Sequence, residues 1–234
     1  MKIAIINGSP KGKNSNSSYL VNNIKKCISE NTDKSNVEGK NNTNVSIYEF
    51  IWNHNSCPHN DFETILQCDS IVFCFPLYID SIPSHLLRIL IDFENYVIEI
   101  KKTKYLFLAE INIYVVINNG FYDGKQNHLA IDNIKHWCRH IGFIMAQGIG
   151  IGGGGMLPDI KDIPLGHGPK KTIGIELKAM CNNIILRQSG KVTFIEPNFP
   201  SLSYKFLVER RWRKIAKTNN LKAKDLNKRL TTTV

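Results

Sequence analysis

Lys2-Ile3-Ala4-Ile5-Ile6-Asn7 runs straight into Gly8-Ser9-Pro10-Lys11-Gly12-Lys13-Asn14-Ser15-Asn16-Ser17-Ser18. A short apolar run meets a loop of glycine, serine, asparagine and lysine, and a helical pattern follows. Open α/β folds hold a phosphate with such a unit, because loop N–H groups and the positive end of the helix dipole face the anion. The loop is not G-x-x-x-x-G-K-[ST]: Gly8 and Gly12 are too close, and Asn14 follows Lys13. It is not G-x-G-x-x-G either. Its hydroxyls and amides suit a terminal phosphate monoester better than a bridging pyrophosphate. Ser9, Asn16, Ser17 and Ser18 are the candidate donors, with Lys11 or Lys13 supplying charge. The plainer alternative is a polar turn with a serine N-cap.

Outward from this unit the pattern alternates. Residues 17–30 read as a helix with Leu20, Ile24 and Cys27/Ile28 on one face, and residues 31–43 as a polar link. Asn44–Phe50 is a second strand and Asp61–Gln67 a short helix. Asp69–Phe75 is nearly all apolar, as in a strand buried on both faces of a parallel sheet. Pro83 opens a helix, with Leu86, Leu87, Leu90 and Ile91 expected inward. Ile111–Ile117 is a fourth strand, Asn127–Ile141 a helix stopped by Gly142, and Met145–Ile151 a fifth strand running into Gly152–Gly155. Helices over Lys170–Arg187 and Ser201–Lys217 complete the chain. Five strand–helix units predict a doubly wound five-stranded parallel sheet of order 2-1-3-4-5 with a C-terminal helical extension. Ligands in such sheets bind at the carboxyl ends of the strands, near the switch between strands one and three.

The chain has 234 residues, 42% of them hydrophobic, enough for one large domain or a core with an extension. The longest apolar stretch, Tyr105–Ile117, is broken by Glu110 and Asn112 and too short to span a bilayer. Met1-Lys2 leads directly into a strand without signal-peptide shape, so a cytoplasmic protein with no membrane insertion is expected. Six scattered cysteines form no C-x-x-C pair and read as small buried hydrophobes in a reducing compartment. The net charge of +10 is concentrated at one end: from Tyr204 onward, ten Lys or Arg face only Glu209 and Asp225.

The residues after the strands carry the chemistry. Phe75-Pro76-Leu77-Tyr78-Ile79-Asp80-Ser81-Ile82-Pro83 is stiffened by two prolines and offers apolar side chains beside backbone donors, the combination a flat heteroaromatic ring needs. Asn118-Asn119-Gly120-Phe121-Tyr122-Asp123-Gly124 adds neutral edge contacts and a glycine for close approach. The run Gly152–Gly155 reads either as a further close-approach segment or as a flexible loop. His85 and Arg88, one turn apart, are candidate contacts for a substrate or cofactor phosphate. No general acid–base pair, nucleophile elbow or metal-ligand spacing is present. Phosphate donors and a ring slot without proton-transfer groups point to a cofactor that carries its own chemistry, and a flavin fits.

Ile6-Asn7-Gly8-Ser9-Pro10-Lys11 with Asn16-Ser17-Ser18, and Phe75-Pro76-Leu77-Tyr78 with Asp80-Ser81-Ile82-Pro83, resemble the flavodoxin-like NAD(P)H-dependent FMN reductase and quinone reductase family. Asn118-Asn119-Gly120-Phe121 is similar to its third FMN loop, so the resemblance covers residues 1–155. It implies FMN phosphate held by Ser9, Lys11, Asn16, Ser17 and Ser18. It implies the ring held by Pro76, Leu77, Tyr78, Ile79, Asn118, Asn119 and Gly120. Phe121 joins His85 and Arg88 as candidate contacts for substrate or NAD(P)H on the residues alone. No catalytic side chain is expected, since the flavin carries the reaction. A homodimer or homotetramer is also implied. Relatives with an iron–sulfur cluster carry closely spaced cysteines after the second strand. Here only Cys57 stands in Trp52–His59, so no metal is expected.

The expected organisation is a flavodoxin-like FMN-binding domain at 1–155, a helical extension packed on it at 156–217, and a basic tail at 218–234. The expected function is FMN-dependent NAD(P)H oxidoreduction of quinones, flavins, nitro- or azo-aromatic acceptors by ping-pong hydride transfer. The alternative is a flavodoxin-like electron-transfer protein with a protein redox partner. Tyr204, Leu207, Val208, Trp212 and Ile215 recur at helical spacing, so 201–217 reads as an amphipathic helix docked on the domain with a solvated charged face. No nucleic-acid motif accompanies its charge, and nucleic acid is not an expected partner.

Overall fold

A computed structural model describes residues 1–37, 44–104 and 111–228. The strands are β1 (Lys2–Asn7), β2 (Ser46–Ile51), β3 (Ser70–Pro76), β4 (Asn112–Asn118), β5 (Ile144–Ile151) and β6 (Thr193–Ile195). The longer helices are α1 (Asn16–Val37), α2 (His59–Leu66), α3 (Ser84–Lys104), α4 (His128–Ile141), α5 (Lys171–Leu186) and α6 (Ser201–Thr218). All strand pairings are parallel, in the order β2-β1-β3-β4-β5-β6. The five-strand core order is therefore as expected, and the sheet has one strand more than expected. β6 is only three residues long, too short to display a period.

Alternation along the strands splits the core in two. Ala4, Ile6, Ile71, Phe73, Phe75, Ile113 and Val115 face α2, α3 and α4. Ile3, Ile5, Val72, Cys74, Tyr114 and Val116 face α1 and α5. Burial on both faces is why β3 and β4 read as continuous apolar runs. Trp52, 1% exposed, anchors the first layer against Phe62, Phe73 and Phe93.

Several boundaries and faces differ from the sequence reading. α1 continues through residue 37, so part of the expected polar link is helix, while residues 38–43 lie outside the described residues. Of the expected apolar stretch 105–117, residues 105–110 also lie outside them, as do residues 229–234 of the tail. On α3, Leu86 and Leu90 are buried with Ile89, Phe93 and Val97, but Leu87 and Ile91 are exposed. The inward stripe is centred one residue away from the expected one. No described helix is long and apolar enough to cross a membrane. None of the six cysteines forms a disulfide, and four are buried. Burial, with Asp61 and Asp92 nearby, pushes the half-buried Cys57 thiol up to about 12, so it stays protonated.

The loops above the sheet are shaped by local bonds. Asn7 Oδ1 accepts from Ser9 N at 3.1 Å and its Nδ2 donates to Gly12 O at 3.1 Å, fixing both arms of the β1–α1 loop. Ser15 Oγ accepts from Ser18 N at 3.0 Å, capping α1. After β3, Tyr78 and Ser81 exchange two backbone bonds of 3.1 Å across Ile79 (φ 49°) and Asp80 (φ 56°). Two successive left-handed residues make a type I′ turn, which suits asparagine and glycine and strains a β-branched isoleucine. The glycine run after β5 is packed, not loose. Gly152 N donates to Ile195 O at 2.9 Å and Gly154 N to Asn119 O at 2.7 Å. Wholly buried Lys170 donates to Tyr19 Oη at 2.7 Å and to Lys161 O at 3.3 Å, tying the following segment to α1. At the start of α3, His85 is buried, and its Nε2 lacks a hydrogen-bond partner. Burial lowers its pKa below the ordinary 6.5, partly opposed by the carbonyls of Gly8 and Trp52, with His54 lowering it further.

Three tests follow from these loops. A Cβ on Gly152 would lie 2.0 Å from Tyr122 O and 2.8 Å from Gly124 N, both backbone. Gly152→Ala is expected to cost about 2 kcal/mol, lowering Tm by about 4–8 °C in calorimetry. Ile79→Asn relieves strain worth about 1 kcal/mol and should raise Tm by about 2–4 °C. Folded His85 holds its proton more weakly than the unfolded chain does, so stability falls as pH drops below the ordinary histidine value. Urea unfolding at a series of pH values should show that slope, shallower in His85→Gln.

Candidate functional site

The carboxyl ends of β1, β3, β4 and β5 open into one cleft of about 470 Å³. Its first wall is the loop after β1 with the start of α1: Ser9, Lys11, Asn14, Ser15, Asn16 and Ser17. Pro76, Leu77 and Tyr78 form a second, and Asn118, Asn119 and Gly120 a third. Parallel strands in register deliver these loops to one edge: Pro76 pairs with Asn118, and Asn118 with Ile151.

The first wall is built for an anion. The N–H groups of Asn16 and Ser17 lie in the first turn of α1, where no intrahelical acceptor exists, and no other described residue accepts from them. The hydroxyl of Ser9 is buried beside them, and that of Ser17 makes a long 3.4 Å contact with Asn118 Oδ1. Among the described residues, the charged ones lining the cleft are Lys11 and Arg211, and no carboxylate lines it. Asn16 is already partly committed, since its Nδ2 donates to Gly154 O at 2.7 Å. Ser18 is buried in α1 and does not line the cleft.

The other two walls make a slot. Leu77 N donates to Asn118 O at 2.9 Å, joining them at the base. Asn119 spends its amide on its own loop, accepting from Phe121 N at 2.9 Å and donating to Asp123 O at 3.0 Å. That Asx turn leaves Asn118, Gly120 and the Tyr78 ring as the neighbours of a ligand. Ile79 points outward at 99% exposure. His85, Arg88 and Phe121 do not line the cleft; His85 lies beneath the surface and Phe121 is exposed on the third loop.

The fourth wall is one that the sequence reading did not place. Tyr204, Val208, Arg211, Trp212 and Ile215 of α6 line the cleft, so the amphipathic stripe roofs it. Tyr204 Oη donates to Gly120 O at 2.7 Å, and its ring meets Tyr122 edge-on with centroids 5.6 Å apart. Burial pushes the Tyr204 phenol up, which keeps it a donor. Arg211 donates to Gly155 O and lies 3.6 Å from Asp159. Gly154, Gly155 and Pro158 complete the lining. The helical spacing announced an apolar face; only the fold shows what it covers. Among the described residues, no group of three or more His, Cys, Asp or Glu side chains converges on a point.

No family model matches this chain, and no curated protein matches it. Solved structures do. An NADH:FMN oxidoreductase in its apo form is similar at 13% identity and TM-score 0.52, over 86% of this chain and 97% of that one. An azoreductase from Bacillus anthracis str. Sterne is similar at 14% identity and TM-score 0.51, over 78% and 99%. A flavone reductase gives 14% identity and TM-score 0.51, over 82% and 66%. Likeness at these identities concerns the fold, and it agrees with the strand order β2-β1-β3-β4-β5: the chain has a flavodoxin-like fold, with β6 added at one edge.

Proposed function

We propose that the cleft binds FMN and that the protein is an FMN-dependent NAD(P)H oxidoreductase. One observation carries the reading. A cleft of ligand-sized volume joins unsatisfied helix N–H groups, hydroxyls and two cations to an apolar slot, with no carboxylate among the described residues of its lining. The donor set fits a phosphate monoester at one end and a planar ring at the other. Similar folds include proteins described as an NADH:FMN oxidoreductase and an azoreductase, which supports the same reading.

In this reading the N–H groups of Asn16 and Ser17, the hydroxyls of Ser9 and Ser17, and the Lys11 ammonium hold the phosphate. Pro76, Leu77 and Tyr78 pack against the ring, while Asn118 and Gly120 meet its polar edge. When bound there, FMN supplies hydride chemistry between NAD(P)H and an acceptor such as a quinone, flavin, nitro- or azo-aromatic compound. The chain's part is to bind, orient and exclude water. Tyr204, Val208 and Trp212 shield the slot from above, and apolar cover of this kind strengthens the polar contacts inside.

Calorimetric titration with FMN tests the cofactor assignment, and steady-state oxidation of NADH or NADPH with a quinone tests the activity. Saturable FMN binding and turnover with one nucleotide are expected; a flat titration overturns the reading. Ser17→Ala should weaken FMN binding about tenfold, the worth of one hydrogen bond to a charged group.

A further inference from the structure

We propose that a second cavity, beside the cleft, binds the adenosine diphosphate half of the nicotinamide nucleotide. The inference rests on the FMN reading for its context and on separate residues for its substance. The cavity holds about 320 Å³, and its lining shares Gly155, Val208 and Arg211 with the main cleft. The two are therefore neighbours along α6, one on each side of the Val208–Arg211 turn. A molecule with its reactive ring in the cleft has a place here for its other end.

The lining matches that end in two respects. Met156, Ile160, Phe199 and Leu207 give it an apolar wall, suited to a purine face. Arg210 and Lys214 also line it, four residues apart and so adjacent on one face of α6. Like charges at this spacing repel each other and destabilise a bare helix. Neither forms an ion pair with a described residue, whereas Arg213 pairs with Glu209 and Arg211 with Asp159. The one carboxylate in the lining, Asp159, is thus engaged by Arg211. Arg210 and Lys214 remain as two uncompensated cations above an apolar pocket, the arrangement a nucleotide diphosphate satisfies.

The test uses the full chain. ADP is titrated calorimetrically into wild type and into the Arg210→Gln/Lys214→Gln variant, with pyrophosphate as a second probe and FMN as a third. Saturable ADP binding is expected, tighter than that of pyrophosphate, and weakened at least tenfold in the variant. FMN affinity is expected to be the same in both proteins. With FMN-loaded protein the variant should raise KM for NAD(P)H at least tenfold while kcat at saturation holds, as expected when contacts remote from the reacting ring are lost. Absence of ADP binding to wild type, or equal ADP binding by wild type and variant, overturns the site. Pyrophosphate binding as tightly as ADP overturns the purine assignment. A flat FMN titration strikes the cofactor reading alone, since ADP binding is read without flavin.

Discussion

The site depends on the hold of one side chain over the first loop. Asn7 ends β1 and bonds both Ser9 and Gly12, so the chain leaves the sheet in a fixed arc and enters α1 at a fixed angle. Ser15 closes the arc by capping α1. Without these bonds the N–H groups of Asn16 and Ser17 would have no common direction. With them, the electrostatic end of the cleft is set before any ligand arrives, and binding need not carry the entropy of ordering the loop.

The remaining walls are positioned by bonds between loops. Leu77 bonds Asn118, Asn119 bonds Ile151, and Gly154 bonds Asn119, so the edges of β3, β4 and β5 form one continuous rim. Gly152 admits Tyr122 O to a distance at which no other residue fits. The glycine run, ambiguous in the sequence between close approach and looseness, is a backbone seam.

Much of this arrangement was legible in the sequence because glycine, proline and asparagine mark the places where strands give way to loops. The parallel order followed from buried strands alternating with helices. Less legible was anything decided by tertiary contact. The Thr193–Ile195 strand has no period to read. The Asn119 amide looked like a ligand for a ring and is spent on Phe121 and Asp123. Ile79 sits in the right loop but on its outer turn. The stripe Tyr204–Ile215 declared that α6 packs on something, and its target is the cleft itself, because β6 returns the chain to the edge beside β5.

That return has a consequence for how the chain closes on itself. Bringing distant segments of a chain together costs entropy that grows slowly with the length of the loop between them. The three loop walls lie within residues 9–120, and the roof begins at residue 201. The cleft is therefore completed only by closing a long loop of chain. Tyr204 holds that closure by its bond to Gly120, across more than eighty positions of sequence.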